Sequence, residues 1–304
     1  MIYNNKEDII QLTPLWEGER FPDGRPKVPD SVLERLKNIT LEAAWGPIFK
    51  MGYTNQFEGD FTILHPDERM VGRAVTGVFM PQRPDMHEYL FKFGHDAGFV
   101  GNYNQWVIDS LVPGDVLVCD MYNKLAFGTF IGGNLATAIA ARTKGGGAVL
   151  WGGVRDLEQI HHVPGLKLYY KGEDPTAIKD FMMIGMNVPC RIGKAVCLPG
   201  DVVFGSRSGV LFIPAHLAET AANAAEKAQI KDIFGFIRLQ DGTYTTADID
   251  RQWTLPIFED WMNFIKTDSR GEPYRHLTWE DEREAAVKRT EELAKDKNSG
   301  DVVV

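Results

Sequence analysis

Between Gly132 and Asp156 the chain reads GGNLATAIAARTKGGGAVLWGGVRD. A glycine pair opens the stretch, and the alanine-rich run Leu135 to Arg142 predicts a helix. Gly145, Gly146 and Gly147 break that run and lead into a short apolar strand, Ala148 to Trp151. The strand stops at Gly152-Gly153, and Arg155-Asp156 follow at once. Helix, glycine break and strand make an α/β unit with a charged pair where the strand runs out. Backbone at such a strand end can reach a ligand, so α/β folds keep much of their chemistry there. Arginine grips a carboxylate through two parallel hydrogen bonds, and aspartate offers hard oxygen to a divalent cation. The same two residues also suit a helix cap or a surface ion pair, and spacing alone leaves both readings open.

The segments around this unit predict more strands than helices. Arg69 to Phe79 (RMVGRAVTGVF) alternates and is rich in valine, a strand pattern. Val112-Pro113-Gly114-Asp115 reads as a turn feeding the apolar strand Val116 to Cys119, with Asp120 at its end. The construction recurs at Leu198-Pro199-Gly200-Asp201, feeding Val202 to Phe204. In both, proline fixes one backbone angle, glycine permits a positive one and aspartate bonds the turn, so Asp115 and Asp201 read as turn residues. Leu166 to Tyr169, Asn187 to Gly193 and Gly209 to Ile213 are further strands. Helices are expected at Ser31 to Lys37, Leu41 to Met51, Pro84 to Phe93 and Ala215 to Lys231, with His95-Asp96 in a loop. This pattern is α/β with a mixed β/α core rather than a doubly wound parallel sheet.

The two ends differ from this core. Residues 1–30 are polar and carry Pro14, Pro22, Pro26 and Pro29, so they read as an extended arm lying on its own body or on a neighbouring subunit. Residues 31–250 form the core. Residues 251–304 hold Trp253, Trp261 and Trp279 and a charged helix from Trp279 to Lys297, after a turn-rich connection from Asp232 to Trp253. They read as a tail packing on the core or on another subunit, frayed at Asp301 to Val304.

Composition removes several function classes. The net charge is −9 and no block of Lys or Arg offers a phosphate-binding stripe, which argues against nucleic acid as a partner. Cys119, Cys190 and Cys197 form no CxxC pair, which suggests reduced thiols in a cytoplasmic protein. No signal peptide and no membrane-spanning apolar run is visible. There is no GxGxxG after a strand, no Gly-Lys-Ser/Thr phosphate loop and no Gly-x-Ser-x-Gly elbow. His87-Glu88 lacks the second histidine of a zinc-protease helix.

VGRAVTGVF, SLVPGDVLVCD, GGNLATAIAAR with GGVRD, NVPCRIG and LPGDVVFGSRSGVLFIP follow one another in a specific order. In these segments the chain resembles the family of 4-hydroxy-4-methyl-2-oxoglutarate aldolases and RraA, the regulator of ribonuclease E activity, from about Ser31 to about Asp250. The resemblance implies a swivelling β/β/α domain, a homotrimer or homohexamer with its cleft between subunits, and a Mg2+- or Mn2+-dependent lyase. Such a lyase cleaves or decarboxylates a small 2-oxo or hydroxy acid through a metal-stabilised enolate. Residue by residue, Arg155 would hold the substrate carboxylate and steady the enolate, and Asp156 would bind the metal. Gly133, Asn134 and Leu135, at the start of the helix, would bind the carboxylate through backbone amides.

Two departures stand out. The family's aldolases carry an acid twenty-one residues before the Arg, bonded to the metal's waters. Here that place falls on Asn134, or on Gly133 with one extra loop glycine, and neither is acidic. Arg207 stands in a loop where the family often has acidic residues. Glu226 or Asp232 would be the acids to complete the site from a neighbouring subunit, and both also read as solvated helix residues. The alternative function is a non-catalytic oligomeric regulator that binds a protein partner such as a ribonuclease, which the acidic charge suits.

Overall fold

The computed structural model describes residues 3–299, so Asp301–Val304 lie outside the described residues. The chain divides into two compact units, Met1–Ala222 and Asn223–Val304. The strands of the first are β1 (Phe57–Glu58), β2 (Thr62–Ile63), β3 (Met70–Pro81), β4 (Asp115–Asp120), β5 (Thr129–Ile131), β6 (Gly147–Val154), β7 (Lys167–Glu173), β8 (Phe181–Met186), β9 (Cys190–Ile192), β10 (Ala195–Cys197), β11 (Val202–Ser206) and β12 (Gly209–Ile213). Its helices are α1 (Lys6–Leu12), α2 (Asp30–Lys37), α3 (Leu41–Lys50), α4 (Pro84–Asp96), α5 (Tyr103–Asp109), α6 (Gly133–Thr143) and α7 (Leu157–Ile160).

One mixed sheet runs in the order β1-β12-β11-β3-β4-β6-β7-β2. Its centre, β3-β4-β6-β7, is parallel. β5 pairs parallel with the carboxyl end of β6, and β8 pairs antiparallel with β3. β9 and β10 form a separate hairpin. β4 explains why this sheet is covered on both sides: every one of its residues is buried. Side chains alternate across a strand, so Leu117 and Cys119 enter one core with Trp106 and Phe130, while Val116 and Val118 enter another with Ile192 and Phe212. Each fully buried Leu or Val contributes roughly 1.5–3 kcal/mol.

Both Pro-Gly-Asp turns close as the residue types dictate. Gly114 (φ 83°) and Gly200 (φ 85°) take the left-handed region. Asp115 accepts from the Val112 amide at 2.9 Å and Asp201 from the Leu198 amide at 2.7 Å. Asp115 has a second task that local sequence does not announce. Arg25 donates to both its oxygens, at 2.9 and 3.2 Å, and to Asp23 at 2.7 Å. Arg25 is 2% exposed and Asp115 fully buried, so the proline-rich arm is pinned to the body of its own unit. Tyr3 and Arg73 add to this, through Tyr3 Oη to the Met183 carbonyl (2.9 Å) and Arg73 Nε to the Val28 carbonyl (2.7 Å).

Local details depart from the sequence expectations for physical reasons. The arm contains α1, whose first turn is capped by the Asn5 side chain and which buries Ile9. His95 and Asp96 continue α4 rather than looping out, because Gly94 leaves room for the Trp106 ring against the helix. Asn187 to Gly193 is not one strand: Asn187 (φ 52°) turns the chain between β8 and β9.

The boundary between units falls inside α8 (Ala218–Gln240), which runs well into the stretch read as turns. With α9 (Thr246–Ile249), α10 (Leu255–Thr267) and α11 (Glu280–Ser299) it builds the helical second unit. There Trp261 stacks edge-on with Trp253 at 5.2 Å and Trp279 at 4.4 Å, beside Phe234 and Phe264. Arg238 holds Asp260 through two bonds, at 2.7 and 2.6 Å. Among the described residues no helix is long and apolar enough to cross a membrane.

Candidate active site

Register brings the site together. Ile131 of β5 lies beside Val154 of β6, and the strands run parallel. The residues that follow each strand therefore emerge side by side at the carboxyl edge, where open α/β sheets place ligands. These residues are Gly132-Gly133, opening α6, and Arg155-Asp156, opening α7. The Arg155 amide donates to the Ile131 carbonyl at 3.1 Å and fixes the alignment.

Asp156 takes a left-handed backbone (φ 60°, ψ 37°), a conformation that Asp tolerates better than most residues. It occupies the cap position of α7, yet its side chain makes no cap bond. Its Oδ2 instead accepts from the Gly133 amide at 3.2 Å, at the positive end of α6. Arg155 Nε lies 3.7 Å from the same oxygen, too far for a hydrogen bond, and both side chains are partly exposed. No other partner of the guanidinium is present among the described residues. The pair thus keeps its polar atoms turned to the space in front of it rather than spending them on each other.

Gly132 makes this approach possible. Its φ of −123° suits any residue, but a Cβ there would overlap Asp156 Oδ2 and lie 3.0 Å from Arg155 Nε. We expect Gly132→Ala to push the carboxylate aside while the backbone stays put. Divalent-ion affinity should fall about tenfold or more with thermal stability nearly unchanged, a split that titration calorimetry and a melting curve on one sample check. Unaltered affinity would mean that this carboxylate placement is not used.

The pocket in front of the pair has a volume of about 320 Å³. Asn134 and Leu135 line it from α6 and Gln159 from α7, with Asn102, Asn104 and Gln105 from the start of α5. Asn104 is buried and donates to the Phe130 carbonyl at 2.9 Å, holding β5 in place. Sequence reading missed β5, Gln159 and the Asn102–Gln105 group. The signal for the last was the amide-rich NYNQ at a helix start, the residue types that cap helices. Gln159 lies three residues beyond Asp156, within one helical turn.

Arg207, Glu226 and Asp232 are not among the residues that line this pocket. Arg207 pairs with exposed Asp67 at the β11–β12 turn. Glu226 and Asp232 lie on α8 in the second unit, Glu226 3.9 Å from His276, and burial raises the Asp232 carboxyl above its usual range. Asp120, at the carboxyl end of β4, turns to the Tyr122 amide (2.8 Å), and burial raises it too. Among the described residues no three His, Cys, Asp or Glu side chains gather to enclose a metal. Among the described residues Asp156 is the one acid lining the pocket. That donor set fits a hard cation held by a single carboxylate and water, as Mg2+ often is, and not a caged transition metal.

The sequence signature of the RraA-like family, Aldolase/RraA, matches residues 33–212. The chain belongs to the RraA-like family. Over 120 residues it is 28% identical to a protein from Halalkalibacterium halodurans named as a candidate 4-hydroxy-4-methyl-2-oxoglutarate aldolase. That match covers 40% of this chain and 56% of the relative, little more than half its length. Among solved structures, Streptomyces coelicolor RraAS2, described as an unusual member of the RNase ES inhibitor RraA family, superimposes with a TM-score of 0.57 at 23% identity, covering 70% of this chain and 98% of that one. An uncharacterized protein from Pseudomonas syringae pv. tomato gives 0.58 at 19%, covering 77% and 96%. At these identities the likeness is one of fold, and the fold is that of the RraA-like β/β/α domain. The matched region ends before α8 and begins after the arm, so the pinned arm and the tryptophan-centred second unit lie outside it.

Proposed function

We propose that this RraA-like protein is a divalent-metal-dependent carbon–carbon lyase, of aldolase or decarboxylase type, acting on a small 2-oxo or hydroxy acid. The observation that carries this reading is the Asp156 carboxylate. It is turned away from the helix it could cap and set beside an Arg155 whose guanidinium is otherwise unengaged. Asp156 would hold Mg2+ or Mn2+, which when bound supplies Lewis-acid polarisation of a 2-oxo group. Arg155 binds the substrate carboxylate and stays beside the negative charge that grows as the C–C bond breaks. The amides of Asn134 and Leu135, in the first turn of α6, have no helical acceptor and add donors to the same carboxylate. In decarboxylation the departing carboxylate leaves as carbon dioxide, its bonding pair passes to C3, and solvent protonates C3 to give pyruvate. That route needs no base. Aldol cleavage also requires loss of the C4 hydroxyl proton, and neither Gly133 nor Asn134 can accept it, so water in the open pocket takes it. The active form is proposed as a homotrimer or homohexamer in a reducing, cytoplasmic setting, which three buried free cysteines suit.

The test is Mn2+ binding and pyruvate release from oxaloacetate and from 4-hydroxy-4-methyl-2-oxoglutarate. The Asp156→Ala variant should lose at least about tenfold in ion affinity and most turnover. The second reading is an oligomeric regulator of a basic protein partner such as a ribonuclease, favoured by the net charge of −9. It predicts partner binding that is indifferent to Asp156, and full function in that variant would replace the lyase reading with this one.

A further inference from the structure

We infer that the acid this site takes is polyhydroxylated, a sugar-type acid, read by the carboxamides that surround Arg155. The inference rests on the lyase reading and names its substrate class. Five of the side chains lining the pocket are carboxamides: Asn102, Asn104, Gln105, Asn134 and Gln159. Among the described residues that line it, the only cationic side chain is Arg155 and the only acidic one is Asp156. A carboxamide both donates and accepts, as a hydroxyl group does, and a row of them matches a row of hydroxyls without any charge to neutralise. One guanidinium with the start of α6 satisfies one carboxylate.

The amides divide by what they already do. Asn104 is committed to the Phe130 carbonyl and the Gln105 amide, and Gln105 Oε1 to the Asn102 amide at 2.7 Å. Asn134 and Gln159 make no side-chain hydrogen bond among the described residues, so their donors and acceptors remain for a ligand. Gln159 has a particular place: its Oε1 occupies the point where a side chain on Gly133 would begin. A neutral donor and acceptor therefore stands over the helix start from which an acid at position 133 would project. At about 320 Å³ the pocket is at the small end of ligand sites, the size range of a five- or six-carbon acid.

The test is calorimetric titration, with Mg2+ present, of D-gluconate (polyhydroxylated, one carboxylate), 2-oxoglutarate (no hydroxyl, two carboxylates) and pyruvate. The wild type should bind D-gluconate about tenfold more tightly than 2-oxoglutarate. Gln159→Leu, an exposed position whose fold is checked by circular dichroism, should weaken D-gluconate about fivefold and leave pyruvate within about twofold. 2-Oxoglutarate binding as tightly as D-gluconate overturns the substrate class, and so does an equal effect of Gln159→Leu on D-gluconate and pyruvate. In both cases the lyase reading survives if pyruvate binding is lost in Arg155→Ala. Failure of all three ligands to bind the wild type overturns both.

Discussion

Arg155→Ala is expected to lower kcat/KM for pyruvate release about 10²- to 10³-fold, the usual loss when one fixed donor to a developing oxyanion is removed. The fold should hardly notice. The Arg155 side chain is 40% exposed and its one ionic contact, to Asp156, is a long 3.7 Å. The bond that aligns β5 and β6 uses the Arg155 backbone amide and survives any substitution but proline. An exposed pair of this kind contributes about 0–1 kcal/mol. Arg155→Lys keeps the charge but not the two-pronged geometry, and should recover only part of the rate. Steady-state kinetics of the three forms, alongside their melting curves, decide the matter. A variant that turns over normally would place the substrate carboxylate elsewhere.

The second large effect is on stability. Arg25→Ala should cost about 3–5 kcal/mol, the range for breaking a buried ion pair from one side. Asp115 has no exposed surface and burial already raises its carboxyl above the usual range, so without Arg25 only the Val112 amide would be left to meet a charge there. The arginine also covers the Phe21 ring, 4.7 Å from its centroid, so packing is lost with the charge. In a calorimetric scan this corresponds to a fall of about 10 °C in the transition of the first unit. Arg25→Met combined with Asp115→Asn removes both charges of this pair and should recover part of the loss. A single variant that melts with the wild type would mean that the arm is held by its other bonds, at Tyr3 and Val28, alone.

These two residues mark what sequence shows and what it hides. Arg155 was legible because strand, glycines and charged pair are contiguous, and contiguous chemistry survives translation into a fold. Arg25 was not. Its partner is 90 positions away, and nothing about a polar, proline-rich segment says that one of its cations will be sealed against a turn. The same limit hid β5, only three residues long, although its pairing with β6 puts Gly132 next to Asp156. The Pro-Gly-Asp turns were legible because their chemistry is local. Gln159 was overlooked because it fills an absence: the side chain that Gly133 lacks has no signature of its own.

That last arrangement constrains how this chain can change. Positions 133 and 159 share one space, and the exposed Gln159 amide is the group that must swing aside when position 133 gains a side chain. A substitution giving position 133 an acidic side chain meets the Gln159 amide first and must displace it. Shortening residue 159 beforehand exposes the helix start and leaves it bare. The two states, amide from α7 or acid from α6, place different groups over the same helix start, and in a set of related chains an acid at 133 is expected to go with a residue at 159 that leaves that space open.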